Sequence, residues 1–258
     1  MRRFFFHFFN VLSLIAIAIS YGCAKSGKKN ASGVLRDCVL PDEQKNSLQG
    51  KWSSPPIKVS FKAGEFNSSE ITAIQAAVKT WNSFFQASKG VQVIDAGPDG
   101  AGYQSVTSQV TPQCSSSTLS DGVVLYKRAS NWTHAKNAVA LTTICTQLRS
   151  QGLPEIFNAI MEFNYVNFFT QSSGRFPDIE SIALHELGHM FGLDHSCGPL
   201  KNNLSNVACP DQSADPNNAL FKTVMFPDVF FSDGYGEVKR SLDTNDQGRA
   251  NCLYGDQG

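Results

Sequence analysis

Behind Arg2 and Arg3 the chain opens on an apolar run from Phe4 to Ile19, and after it hydrophobic positions fall into two periods. Ile57-Lys58-Val59-Ser60-Phe61 alternates apolar and polar residues, as a half-buried strand does. From Ser68 or Ser69, either able to cap, to about Ala87, the positions Ile71, Ile74, Ala77, Val78, Trp81 and Phe85 recur at helical spacing. Val91-Gln92-Val93-Ile94 predicts a second strand, ended by Gly97-Pro98-Asp99-Gly100. Residues 103–121, rich in Ser, Thr and Gln, predict a long loop. Strands are expected at Gly122–Lys127, Ala138–Cys145 and Ile160–Asn164, then a helix capped by Asp178. A second long loop, rich in Asn, Asp and Pro, runs from Ser196 to Thr223. Strand, helix, three strands and a helix describe an α+β domain of α/β-like character, a sheet with helices packed on it. No internal repeat or charged block marks a second domain.

Composition narrows the function classes. The 258 residues carry 22 Lys+Arg and 22 Asp+Glu, so no cationic surplus exists to displace counterions from nucleic acid. With 41% hydrophobic and 17% charged residues, the chain has the means to build a core. Seven cysteines is an odd number, which a fully paired disulfide framework cannot use up.

The apolar run is short for a bilayer span and ends in Ser20-Tyr21-Gly22-Cys23, so residues 1–22 are expected to be a secretory signal peptide. Cys23 after Gly22 resembles the lipobox of bacterial lipoproteins, although Ser20 stands where that pattern usually has Leu. The alternative is an ordinary signal with an incidental cysteine. Residues 23–50, small, polar and basic at their start, are expected to be a lipidated cysteine and flexible tether, leaving residues 51–258 as the folded domain. Removing Cys23 leaves six cysteines, the even number of an exported fold.

The decisive segment is His185-Glu186-Leu187-Gly188-His189-Met190-Phe191-Gly192-Leu193-Asp194-His195. Four residues apart on a helix, His185 and His189 project from one face and can present two imidazoles to one ion. Leu184, Leu187 and Phe191 fall on the opposite side. Gly192 stops the helix in the left-handed conformation, so His195 can return to the same ion. Three neutral imidazoles leave a position of zinc open to water, as catalytic sites do. Glu186 lies about 100° round the helix from His185, too far to be a ligand on that face. It is placed instead to take a proton from zinc-bound water. Only His134 lies outside both this cluster and the leader.

The segment resembles the zinc signature of the metzincin metallopeptidases, and Ser196 after His195 points to their matrixin branch, which includes the matrix metalloproteinases. Val224-Met225-Phe226-Pro227 is similar to the matrixin methionine turn, with Phe226 where that turn often has Tyr, so no tyrosyl ligand is expected. Met225 and Pro227 are then structural. Leu242–Gly248 with Cys252-Leu253-Tyr254-Gly255 resembles the closing matrixin helix, and Ala73–Trp81 the first helix. The resemblance implies a metzincin fold: a twisted, mostly parallel five-stranded sheet, an active-site helix and a C-terminal helical subdomain. It also implies one catalytic zinc, a monomeric endopeptidase and a polypeptide substrate extended along the edge strand Ala138–Cys145. The matrixin structural-zinc pattern is not evident, and a structural Ca2+ has no support in the sequence. The interval from His195 to Met225 is longer than matrixins show.

Cys38 admits two roles. Arg36-Asp37-Cys38-Val39 loosely resembles a cysteine switch, but the stretch before it is too short for the usual propeptide. The favoured pairing is Cys38–Cys252, Cys114–Cys145 and Cys197–Cys209, among fifteen combinations open to six cysteines. The expectation is therefore a zinc endopeptidase, exported and held to a membrane through an N-terminal lipid. Two rivals stand beside it. One is a non-catalytic surface-binding lipoprotein with a retained zinc site. The other is a secreted eukaryotic protease using the sequons at Asn67, Asn131 and Asn203.

Overall fold

The computed structural model describes residues 28–30, 33–41, 48–97, 102–106, 114, 122–198 and 207–254. The signal segment, Cys23 and the Asn203 sequon lie outside the described residues. In chain order the elements are β1 (Lys51–Trp52), β2 (Ile57–Lys62), α1 (Ser68–Lys89), β3 (Ile94–Asp95), β4 (Tyr103–Ser105), β5 (Val123–Arg128) and β6 (Ala140–Gln147). There follow β7 (Glu155–Asn164), α2 (Ile179–Phe191), a 3-10 turn at Ala219–Lys222, the hairpin β8 (Phe231–Ser232) with β9 (Tyr235–Gly236), and α3 (Thr244–Leu253).

This is a mixed α/β arrangement with a mostly parallel sheet. Its seven described strands fill five rows, because short pieces share an edge. β3 and β4 lie end to end along β2, while β1 and β5 lie along the same side of β7. β6 alone runs antiparallel, pairs with β7 and leaves its other edge unpaired among the described strands. The expected strand at Val91–Ile94 forms only from Ile94, and the expected loop at 103–121 begins with β4.

Capping decides where α1 starts. Asn67, not Ser68 or Ser69, is its N-cap: the Asn67 side chain accepts from the Glu70 N–H at 2.9 Å, and the Glu70 carboxylate accepts from the Asn67 N–H at 2.8 Å. This also occupies the side chain of the first sequon. Trp81 of α1 is fully buried, donates from Nε1 to the Leu184 carbonyl at 2.9 Å and meets Phe191 edge-on at 5.2 Å. The apolar face of α2, with Leu184, Leu187 and Phe191 buried, is thereby clamped between α1 and the sheet. That clamp leaves the opposite face of α2 looking toward β6.

Residues 33–41, inside the expected tether, pack on α3. The Leu35 N–H donates to Gln247 Oε1 at 2.9 Å, Asn251 Nδ2 donates to the Leu35 carbonyl at 2.8 Å, and Leu35 is buried. All three cysteine pairs form as favoured, with Cα separations of 4.5 Å for Cys38–Cys252, 5.1 Å for Cys114–Cys145 and 4.8 Å for Cys197–Cys209. Cys38 is thus engaged in the fold and not available as a switch thiolate. Three disulfides point to an exported or extracellular protein. No described helix is long and apolar enough to cross a membrane.

Candidate metal centre

The local chain geometry first sets a helix cap and a turn. Asp178 caps α2, accepting from the Ser181 N–H at 3.0 Å. Gly192 ends the helix at φ 107°, a value that L side chains rarely adopt. A β-carbon there would also fall 1.9 Å from the Gly50 carbonyl oxygen, so this turn admits glycine alone. The Gln49 N–H then donates to the Gly192 carbonyl at 2.7 Å, fixing the exit of the chain toward His195.

The three imidazoles converge. His189 Nε2 lies 3.0 Å from His185 Nε2 and 3.2 Å from His195 Nε2, and one ligand atom from each ring falls within 4.8 Å of the others. Two nitrogens bound to one tetrahedral zinc at ordinary length sit about 3.3–3.4 Å apart. The tautomers agree with that use. His185 Nδ1 faces the Val224 carbonyl at 2.7 Å and His189 Nδ1 faces the Leu193 carbonyl at 2.8 Å. A carbonyl only accepts, so each Nδ1 carries the proton and each Nε2 turns its lone pair inward. Lone pairs facing at such distances repel unless a cation lies between them. Burial pushes the pKa of all three rings down, and for His185 and His189 the neighbouring ring adds to it, which keeps them neutral. His185, His189 and His195 can therefore hold a metal ion.

Glu186 stands beside them, 5% exposed. Burial raises its carboxyl pKa, opposed by the nearby His189 and by Thr142. Thr142, on the edge strand β6, donates from Oγ1 to Glu186 Oε2 at 2.7 Å and lies 3.2 Å from the Glu186 carbonyl. Both residues line a cleft of about 610 Å³ that also includes the three histidines and residues 138–142 of the edge segment.

The turn at residues 224–227 adjoins the histidines. Met225 is fully buried, its carbonyl accepts from the Ser196 N–H at 2.8 Å, and the preceding Val224 carbonyl is the His185 acceptor already described. Phe226 and Pro227 both line the cleft, and Phe226 also packs in a small cluster with Cys197 and Phe221. The Cys197–Cys209 bridge starts two residues beyond the third histidine. His134 sits elsewhere, 2.9 Å from Glu162.

Three residues that sequence reasoning did not single out complete the site. Asp246 of α3 accepts from the Val224 N–H at 2.8 Å and the Met225 N–H at 3.2 Å. Arg249, one turn on, donates from its guanidinium to the Asp194 carbonyl at 2.9 Å. Both are fully buried, so α3 holds the Val224–Met225 backbone with one side chain and the His195 segment with the other. An acid and a base three apart in a predicted helix was the available signal. Thr142 gave none, because threonine is ordinary in an edge strand.

No protein-family model matches the chain, and no curated protein matches it.

Proposed function

We propose that this protein is a zinc-dependent endopeptidase of the metzincin type, acting on extended polypeptides. The observation that carries the reading is the convergence of three imidazoles, two of them with the Nε2 lone pair turned inward, beside a buried carboxylate and on a cleft bounded by a strand edge unpaired among the described strands. Zinc held by His185, His189 and His195 would supply Lewis acidity, acidifying water and polarising a peptide carbonyl.

The chain's own groups do the rest. The free edge of β6 offers backbone donors and acceptors to a substrate strand, which holds the scissile bond between that edge and α2. Glu186 accepts the proton of the attacking water and delivers it to the departing amine, so that peptide nitrogen leaves as a neutral amine. Thr142 holds one carboxylate oxygen at 2.7 Å and would leave the other for the attacking water. The carbonyls of Val224 and Leu193 keep the two helical imidazoles in the ligating tautomer. Export is supported by the three disulfides, and an acylated Cys23 would fix the domain to a membrane surface. Mass spectrometry of the mature N-terminus tests that anchor.

The test of the activity is casein hydrolysis by the zinc-loaded domain, with and without chelator, beside Glu186→Ala. Chelator-sensitive cleavage that Glu186→Ala abolishes while keeping its zinc is the expected result. Zinc content without any turnover would instead favour the non-catalytic surface-binding protein.

A further inference from the structure

The cleft includes an aromatic corner that the chemistry above does not use. Phe168 and Phe231 stack with ring centroids 6.1 Å apart, and the Arg175 guanidinium lies over both, 5.8 Å from the first centroid and 5.9 Å from the second. All three line the same cleft as the imidazoles, with Ile182 and Val229. Backbone bonds place the arginine there: the Phe169 N–H donates to the Arg175 carbonyl at 2.7 Å in the turn ahead of α2. Phe168 is 1% exposed, so this wall is built into the core and not laid on the surface.

Arg175 differs from its neighbours in its ion pairing. Among the described lining residues the other standing cation is Lys239, whose Nζ is already 2.9 Å from Glu237 Oε1. Arg175 is exposed and forms no ion pair with a described carboxylate, the lining Asp228 included. Among the described residues its side chain lies against the two rings, which orient a planar fork of five donors and leave those donors to water. A guanidinium backed by apolar walls in a concave site is a receptor for a carboxylate, since the fork matches two oxygens and the walls take up methylene groups.

We infer that Arg175, Phe168 and Phe231 form a subsite for an acidic side chain of the polypeptide substrate. This rests on the peptidase reading for the identity of the ligand as a polypeptide, but not for the charge preference itself.

Binding and turnover are measured separately. Fluorescent peptides that place Glu, Gln or Lys at each position in turn are titrated into zinc-loaded Glu186→Ala protein and followed by anisotropy. At one position Glu is expected to bind roughly three- to tenfold tighter than Gln, the scale of a partly exposed charge-assisted pair. Raising the salt shrinks that ratio. Arg175→Gln removes the preference, Arg175→Lys keeps part of it, and Arg175→Glu turns it toward Lys. Thermal melts of the three variants confirm that the exposed position leaves the fold intact. Absence of a Glu preference at every position, or its persistence in Arg175→Gln, overturns the subsite, as does failure of every peptide to bind. Cleavage of the same peptides by the wild-type protein is scored independently. Binding with the acidic preference but no cleavage would sink the peptidase reading and leave the subsite standing.

Discussion

Met225 Sδ occupies the space of a side chain that Gly188 lacks: a β-carbon on Gly188 would lie 2.3 Å from that sulfur. Gly188 lies between His185 and His189 in the chain, and the fully buried Met225 packs against it. The sulfur therefore packs on bare helix backbone, and the distance between α2 and the Met225 segment is set by the absence of one methyl group. Gly188→Ala should destabilise the fold by about 1–3 kcal/mol through overpacking, despite a gain of up to about 1 kcal/mol in helix propensity. Denaturant melts measure this. Adding Met225→Ala should recover part of the loss, because the two side chains compete for one volume. An unperturbed Gly188→Ala would disprove the packing relationship.

Metal retention should divide the site residues into two groups. His189→Ala removes an Nε2 that lies 3.0 and 3.2 Å from the other two, and is expected to lose most of its zinc on dialysis. Glu186→Ala should retain it, since the carboxylate is not among the converging ligand atoms. Metal analysis after dialysis against buffer distinguishes them. Equal zinc in the two variants would refute the assignment of His189 as a ligand.

Thr142 offers a test of positioning. Its hydroxyl reaches Glu186 at 2.7 Å, while its backbone belongs to the strand on which substrate would pair. Thr142→Val keeps shape and strand propensity but removes the donor. A hydrogen bond to a charged group contributes about 1.5–3 kcal/mol, so kcat should fall roughly ten- to a hundredfold with KM little changed. Thr142→Ser, which restores the hydroxyl, should recover most of kcat. A loss confined to KM would show that Thr142 serves the strand and not the carboxylate.

How much of this was legible in the sequence depends on the range of the interaction that fixes each part. His185, Glu186, His189, Gly192 and His195 lie within one helix and turn, so local periodicity and one left-handed glycine were enough to read them. The edge strand and the helix caps are also local, although Asn67 displaced Ser68 and Ser69 because only its side chain closes a reciprocal box with Glu70. Thr142, Asp246 and Arg249 reach the site across 44, 22 and 55 residues of chain, through backbone groups or a side chain that no spacing rule connects. The Cys38–Cys252 bridge, at a separation of 214, was reachable only through parity and the expectation that it joins the domain's ends.

The buried pair on α3 should behave as one unit. Asp246 satisfies the Val224 and Met225 N–H groups, and Arg249, whose Nη2 is 3.8 Å from Asp246 Oδ1, satisfies the Asp194 carbonyl. Asp246→Ala leaves two buried donors and an uncompensated guanidinium, a loss of about 3–5 kcal/mol. Its zinc affinity should fall too, because the Val224 carbonyl that orients His185 is no longer held. Equilibrium unfolding and competitive zinc titration report the two effects. Wild-type zinc affinity in a folded Asp246→Ala protein would show that the turn holds itself.

Acid stability should trace to the start of α2. Burial alone would raise the Asp178 carboxyl, but Arg240, the Ser181 hydroxyl and the Ser181 N–H outweigh it and hold the pKa below the usual aspartate value. Glu180 also pairs with Arg240 at 3.2 Å, so the guanidinium is shared between two carboxylates. A carboxyl whose pKa is lowered on folding stabilises the native state above its unfolded value, near 3.9. That contribution fades as pH falls through the lower folded value, since the unfolded chain then binds the proton more readily than the folded one. Asp178→Asn keeps an N-cap but cannot ionise. Its stability should therefore lie below wild type at neutral pH and converge on it in acid, with a flatter slope below about pH 4. Parallel urea melts of the two proteins across that range measure the slopes directly. Identical slopes would mean that Arg240 is held to α2 too loosely for the Asp178 charge to matter.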